Sequence, residues 1–173
     1  MIFTGIKRKS NQIFLNKKEL EFLKNSKTNS SEKIKSILII LDDITVQDKV
    51  KQQILKLFKI PKANLKFVIF QSKINKEIAL EEIITPKDFG WYGQIKSEEL
   101  KSVLTKKYDL LINYSKVDNL YSNLLLLQSN TGFKAGFSHL DNRFYDLLVE
   151  CESGNFELFN SELKKYLIIL NKL

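Results

Sequence analysis

The sequence predicts an α/β fold: a single three-layer domain whose sheet of four or five strands is mostly parallel, preceded by a basic N-terminal helix. Two observations lead to this prediction. Short, continuous apolar runs alternate along the chain with segments in which apolar residues recur at helical spacing. Basic residues are concentrated ahead of the first apolar run. Alternating strands and helices are typical of a parallel sheet covered by helices on both faces.

The predicted strands are apolar runs that lack a polar face. Ser36–Leu41 reads SILIIL, Leu65–Gln71 reads LKFVIFQ, and Tyr108–Tyr114 reads YDLLINY. A further strand is predicted at 133–137 or at 144–149. Because such strands are buried on both faces, the pattern indicates a Rossmann-like sheet. We expect its core to contain Leu38, Ile40, Val68, Phe70, Leu111 and Ile112.

Helices are predicted between and after these strands. Thr45–Phe58 carries apolar residues at helical spacing and begins like a capping box. Ser97–Leu104 is a short helix that Ser97 caps. Asp118–Ser129 and Asn155–Leu173 follow. The stretch 72–93 mixes isoleucines with proline and glycine, and it is predicted to be part strand and part loop.

Residues 5–24 predict a helix with a ragged apolar stripe and lysines on its other faces. The stripe consists of Ile6, Ile13, Phe14, Leu20, Phe22 and Leu23. The polar stretch Asn25–Ser31 (NSKTNSS) has the composition of a linker. The sequence therefore predicts two units: a basic helix and linker at 1–31, and a Rossmann-like domain at 32–173.

The formal charge of +8 is unevenly distributed. The first 35 residues carry nine basic and three acidic side chains, a net charge of +6, whereas the other 138 residues carry only +2. This concentration favours an anionic partner, RNA or a ribonucleoprotein. The candidate contacts are Lys7, Arg8, Lys9, Lys17, Lys18 and Lys24.

Two alternatives for the basic helix stay open. It could dock on the domain with a solvated lysine face, or it could lie on an anionic membrane surface. Lysine outnumbers arginine 26 to 2, and this bias is also expected of an AT-rich coding sequence. The scarcity of arginine disfavours sequence-specific DNA recognition, because arginine is the better bidentate partner of guanine.

Polar side chains follow three of the predicted strands. Asp42 and Asp43 follow the first, Ser72 follows the second, and Asn113 and Ser115 end the third. Ligands of parallel sheets bind at the carboxyl ends of strands, so these residues are candidates for a small-ligand site. An acidic pair after a first strand also holds magnesium in phosphorelay receiver domains. Here asparagine stands where those domains have a phosphoacceptor aspartate, so helix capping is favoured and no metal site is predicted.

The segment Phe89–Gly93 (FGWYG) combines three aromatic residues with two glycines, which a regular helix does not accommodate. Such aromatics either plug into the core or form an exposed stacking platform for a partner. Trp91 and Tyr92 are the candidate partner contacts in the second case.

Motifs for common cofactors and catalysts are missing from the sequence. It contains neither G-x-G-x-x-G nor a P-loop, and its single histidine, His139, cannot anchor a multi-histidine metal site. His139 is interpreted as a solvated loop residue and Cys151 as a buried structural thiol. We therefore expect a protein that is not an enzyme by itself and that needs no cofactor.

Two resemblances accompany these patterns. The motifs Ile2-Phe3-x-Gly5-Ile6, Trp91–Gly93, Tyr108–Asn113 and Phe133–Gly136 resemble an uncharacterised family of small cytoplasmic proteins from Bacteroidota, over nearly the whole chain. That resemblance implies a cytoplasmic location and no particular activity. Residues 108–137 are similar to the N-terminal Rossmann-like half of heptosyltransferase-type glycosyltransferases. This local similarity implies a fold, not an activity.

The sequence thus predicts a non-catalytic cytoplasmic accessory protein whose basic N-terminal segment contacts RNA or a ribonucleoprotein. The apolar runs are too short to span a bilayer, and a lone cysteine fits a reducing compartment. Two other functions remain open: a Rossmann-like domain that binds a nucleotide or nucleotide-sugar, and a protein–protein interaction module.

Overall fold

The computed structural model describes residues 2–25, 33–72 and 83–173, without the side chains of residues 2 and 19–25. The predicted linker therefore lies outside the described residues, apart from Asn25, and so does the boundary between the two predicted units. The helices and strands are α1 (Ile2–Asn25), β1 (Ile37–Leu41), α2 (Gln47–Phe58), β2 (Leu65–Phe70), β3 (Ile83–Ile84), α3 (Glu98–Thr105), β4 (Leu110–Asn113), α4 (Leu120–Gln128), β5 (Lys134–Phe137), β6 (Leu147–Val149) and α5 (Phe156–Ile169).

The six strands form one parallel sheet in the order β3-β2-β1-β4-β5-β6. β1 lies at the centre, where Ile39 pairs with Phe67 of β2 and with Ile112 of β4. The chain proceeds outward from β1 in both directions, so the strand order reverses between β1 and β4. This is the order of a doubly wound Rossmann-like sheet, and it confirms the predicted fold class.

The sheet has one or two strands more than the sequence predicted. Both alternatives at 133–137 and 144–149 contain a strand, β5 and β6. The additional strand, β3, has two residues in the stretch 72–93, which was predicted to be part strand and part loop. A strand this short leaves no periodicity in the sequence, so its position depends on pairing with Ile69 and Phe70 of β2.

Helices cover both faces of the sheet, and each face has its own apolar core. α2 and α5 pack on one face against Ile39, Ile69 and Ile112. α1, α3 and α4 pack on the other face, against Leu38 and Leu111 among others. All six predicted core residues are buried, but Ile112 lies on the opposite face from the other five, because side chains alternate along a strand.

Side-chain caps lie at the N-termini of α3 and α4. Ser97 caps α3 as predicted, accepting a hydrogen bond from the Leu100 amide at 3.2 Å. Asn119 caps α4, where its side chain accepts from the amides of Tyr121 and Ser122. The capping box predicted at Thr45 is wrong. Asp43 instead caps a short 3₁₀ turn that leads into α2.

α1 docks on the domain through a face that the sequence did not predict. Asn11 is fully buried and Leu15 is 2% exposed, whereas Ile6 is 50% and Ile13 43% exposed. The predicted apolar stripe is therefore wrong at these two isoleucines, and the side chains of Leu20, Phe22 and Leu23 lie outside the described residues. Polar groups are buried here because α1 packs partly on loop backbone, whose amides need hydrogen-bond acceptors.

Candidate functional site

Lys116 forms hydrogen bonds with both carboxylates that follow β1, those of Asp42 and Asp43. Its amide donates to Oδ2 of Asp42 at 2.6 Å, and its Nζ lies 2.8 Å from Oδ2 of Asp43. Asp43 also accepts from the amide and hydroxyl of Thr45. The hydrogen bonds from Lys116 and Thr45 lower the pKa of Asp43 to about 2. Asp43 is thus a helix cap held by an ion pair, in agreement with the favoured interpretation.

The predicted ligand residues at the end of β4 are also engaged. Asn113 donates from Nδ2 to the Tyr145 hydroxyl at 2.7 Å and accepts from the Ser115 amide at 3.0 Å. The Ser115 side chain is fully buried. His139 is exposed, as expected, and its Nε2 lies 3.3 Å from the Ser115 carbonyl oxygen.

Ser72 lies apart from this polar group. It is exposed after β2 and lines a cavity on the α1 side of the sheet, together with Arg8 of α1. The five predicted ligand residues are therefore not one site: four form internal contacts near the reversal of strand order, and Ser72 belongs to a different depression.

The aromatic segment divides between the two roles considered for it. Phe89 is fully buried and packs against Tyr121, with ring centroids 5.0 Å apart and the ring planes tilted by 51°. Trp91 is 42% and Tyr92 64% exposed. One ring therefore anchors the segment in the core, and the two rings after it face solvent.

A tight turn presents the two exposed rings. The Gly90 amide donates to the Gln94 carbonyl at 2.6 Å, and the Gln94 amide donates to the Trp91 carbonyl at 3.1 Å. Tyr92 and Gly93 both have positive φ, 50° and 74°, as in a type I′ turn. Tyrosine rarely adopts this conformation, so the surrounding contacts must hold it there. We call residues 90–94 the aromatic turn.

Those contacts come from α1 and α4. Ser10 accepts from the Tyr92 amide at 3.3 Å, and Asn11 accepts from the Gly93 amide at 2.8 Å. Gln128 of α4 donates to the Gly93 carbonyl at 3.0 Å. The contact is close enough that a Cβ on Gly93 would lie 2.3 Å from the ring of Phe14. The N-terminal helix and the aromatic turn therefore form one docked unit.

The basic residues of α1 are distributed over several roles. Lys7 donates to the carbonyl oxygens of Pro86 and Phe89, each at 2.9 Å. Burial, and then the nearby Lys96 charge, lower the pKa of Lys7. Because its ammonium binds backbone carbonyls, Lys7 is a structural contact and its predicted role in partner binding is not supported by this geometry.

Two of the remaining basic side chains of α1 lie on one flank of the helix. Lys9 and Lys17 are exposed, as are Ile6 and Ile13. Ile6, Ser10, Ile13 and Lys17 are spaced at i, i+4, i+7 and i+11, so they share one helical stripe that Lys9 borders. Ser10 contacts the aromatic turn, which places this stripe beside it. We call Ile6, Lys9, Ile13 and Lys17 the exposed flank.

Two other predicted contacts, Arg8 and Lys18, are exposed and fall outside the exposed flank. The Lys24 side chain lies outside the described residues. Sequence reasoning missed Ser10 and Asn11, because polar residues beside lysines are indistinguishable from a solvated helix face until their loop partner is known.

Two further properties concern the described part of the chain. No helix in it combines the length and the apolar character that crossing a membrane requires. Across residues 2–25, 33–72 and 83–173, no three acidic, histidine or cysteine side chains converge as metal ligands would. Cys151, predicted to be buried, is only partly so, and burial raises the pKa of its thiol.

Comparison with known proteins places the chain in a family. A family model described as a family of unknown function, DUF6913, matches residues 7–170. Since the match covers nearly the whole chain, the chain belongs to this family. Searches of curated proteins and of solved structures gave no match. The match begins within α1 and extends through α5, so the family includes the docked helix as well as the sheet.

Proposed function

We propose that this chain is a non-catalytic accessory protein that binds single-stranded RNA, free or in a ribonucleoprotein, on the exposed flank and the aromatic turn. The observation that carries the proposal is the pair of hydrogen bonds from the turn amides to Ser10 and Asn11. They attach the turn that carries the exposed aromatic rings to the helix that carries the exposed lysines. Lysines that attract phosphates, beside rings on which bases stack, are the combination that single-strand binding proteins use.

The charges of this surface support the proposal. Lys9 and Lys17 are exposed on α1, and Lys96 is exposed just beyond the aromatic turn. The Lys96 charge contributes to the lowered pKa of Lys7, so a second cation lies near the carbonyl-bound one. The Asp88 charge opposes this shift, and a phosphate chain would supply further negative charge to the lysines.

The rings favour single strands over duplex. Stacking needs a base whose face is accessible, which only an unpaired nucleotide offers. Tyr92 and Trp91 are held on a turn that the core and α1 fix, so little conformational entropy is lost when a base stacks on them. Lysine contacts carry no base specificity, so we expect affinity for many sequences, with Kd in the range of roughly 1–100 μM at physiological salt.

The proposal is tested with a labelled single-stranded oligonucleotide and fluorescence anisotropy at several salt concentrations. Replacing Lys9 and Lys17 by glutamate should abolish binding within the measurable range. Replacing Lys62 and Lys164, exposed lysines elsewhere on the surface, gives the same change in net charge and serves as the control. Unchanged binding in the first variant, or equal loss in both, would contradict a specific surface.

The aromatic contribution has its own matched pair. Tyr92→Ala should weaken binding by about 1–3 kcal/mol, the usual loss for one stacked base. Tyr166→Ala removes a tyrosine of comparable exposure from α5, on the other side of the sheet, and should have no effect. Equal affinities of the two variants would show that Tyr92 does not stack on RNA.

We also propose that the protein is cytoplasmic and that it is related to proteins from Bacteroidota. They are supported by the sequence motifs that resemble such proteins and by the lone cysteine. A protein–protein interaction module remains the competing function, and the exposed rings would serve it as well. Binding of the labelled RNA distinguishes the two.

A further inference from the structure

A cavity lies on the α1 side of the sheet, at the carboxyl ends of β2 and β3. Its volume is about 880 Å³, within the range of small-molecule sites. The walls come from four elements that are distant in sequence: α1, the end of β2, the segment after β3, and the start of α4. The residues that line it are Thr4, Gly5, Arg8, Phe70, Ser72, Thr85, Pro86, Lys87, Asn119, Leu120 and Tyr121.

The cavity combines an aromatic wall with one arginine. Phe70 and Tyr121 stack with ring centroids 5.3 Å apart and an interplanar angle of 19°. Burial raises the pKa of the Tyr121 phenol. Arg8 lies close enough for its positive charge to oppose this increase. Planar rings next to a guanidinium suit a ligand that is itself aromatic at one end and anionic at the other.

The identity of residue 8 adds to this argument. The chain contains 26 lysines and only two arginines, so lysine is the residue that its composition supplies by default. The other arginine, Arg143, forms an ion pair with Asp141. Within the described residues, no carboxylate pairs with Arg8. A planar guanidinium that can bind a carboxylate or phosphate through two hydrogen bonds is therefore placed where a small anion can reach it.

We propose that this cavity binds a small aromatic organic anion, a carboxylate or a phosphate ester, with Arg8 holding the anionic group and the Phe70–Tyr121 wall holding the ring. This site is separate from the surface proposed for RNA. Arg8 and Gly5 lie outside the exposed flank, and the cavity does not include the aromatic turn. The two proposals can therefore fail independently.

A pair of dyes tests the proposal on the full chain. 1-Anilinonaphthalene-8-sulfonate carries an aromatic body and an anionic group, and N-phenyl-1-naphthylamine is its uncharged counterpart. Both become fluorescent in apolar sites, so titrations give their affinities directly. Arg8→Gln should weaken binding of the sulfonate about tenfold and leave the uncharged dye unchanged, because only the charge-assisted contact is lost. Lys17→Gln, the same loss of charge on the same helix, should change neither.

A second variant tests the location. A Cβ on Gly5 would meet no atom within 4 Å, so Gly5→Leu can enter the cavity without disturbing the fold, and leucine suits a helix better than glycine. This variant should abolish binding of both dyes and retain RNA binding. Displacement of the sulfonate by benzoate or by phenyl phosphate then identifies the anionic group. Unchanged dye binding in Gly5→Leu, equal weakening of both dyes in Arg8→Gln, or displacement by neither compound would overturn the proposal.

Discussion

At the scale of single residues, Gly93 is where the backbone conformation and the docking of α1 depend on one another. Its φ of 74° is in the region that favours glycine, and it leaves no room for a Cβ beside Phe14. Its amide is also the donor to Asn11. A single position thus determines both the shape of the aromatic turn and how closely α1 approaches it.

Gly93→Ala should lower the free energy of unfolding by about 2 kcal/mol or more, since it combines a strained φ with a steric clash. Gly154 provides the control. It also has a positive φ, 97°, but a Cβ there meets nothing within 4 Å. Gly154→Ala should therefore cost only the conformational part, roughly 1 kcal/mol. Urea denaturation measures both, and equal losses would show that α1 does not approach Gly93 closely.

Lys134 is a second residue with a measurable consequence. It is buried in β5, its Nζ donates to the Leu126 carbonyl at 2.7 Å, and desolvation lowers its pKa to about 8. Because the folded-state pKa lies below the unfolded value of 10.5, the unfolded chain binds more protons between these values. Stability contributed by this group therefore rises as the pH increases through about 8.

The free energy of unfolding of the parent chain should increase between pH 7 and pH 9.5. In Lys134→Met, the increase over the same range should be smaller. The window ends below pH 10 because burial raises the pKa values of Tyr114 and Tyr145, and their contribution falls at higher pH. Parallel pH profiles of the two proteins would show that Lys134 keeps its ordinary pKa in the folded state.

At this scale the sequence predicted roles that depend on local spacing, but not the distant residues with which side chains form hydrogen bonds. Ser97 as a cap follows from local spacing, and the structure confirms it. Lys7 could not be recognised as a structural residue, because its acceptors, the carbonyls of Pro86 and Phe89, lie about 80 residues away in sequence. The partners of Asp42 and Asn113 were not predicted for the same reason: Lys116 and Tyr145 form hydrogen bonds with them, and neither partner is implied by local pattern.

At the scale of elements, α1 is a component of the three-layer domain. It packs on α4 and supplies Leu15 to the core on its side of the sheet. The strands were predictable because their apolar runs are continuous, which is a property of the sequence alone. The buried face of α1 was not predictable from the sequence, because it depends on the loop against which the helix packs.

Leu15→Ala should destabilise the protein by about 2–5 kcal/mol, the usual loss for a fully buried leucine. Ile13→Ala, two residues away and 43% exposed, should cost much less. Urea denaturation followed by circular dichroism measures both. If both variants were as stable as the parent, α1 would be a detached arm rather than part of the domain.

At the scale of the whole molecule, +6 of the net charge of +8 lies in residues 1–35, which include the docked helix α1. The fold class was predictable from the alternation of apolar runs and amphipathic segments. The placement of α1 beside the aromatic turn was not, because it depends on contacts across more than 80 residues of sequence, such as Ser10 with Tyr92. That placement is what converts scattered lysines and two aromatic residues into a candidate RNA-binding surface.

The intrinsic fluorescence of Trp91 tests this claim most directly, because Trp91 is the only tryptophan in the chain and lies at 42% exposure within the aromatic turn. Titration with oligouridylate should quench its emission, with a midpoint that moves to higher RNA concentration as salt is added. The same RNA annealed to its complement should quench much less. Saturating binding of the single strand, measured by anisotropy, with unchanged Trp91 emission would contradict the account and place RNA elsewhere on the protein.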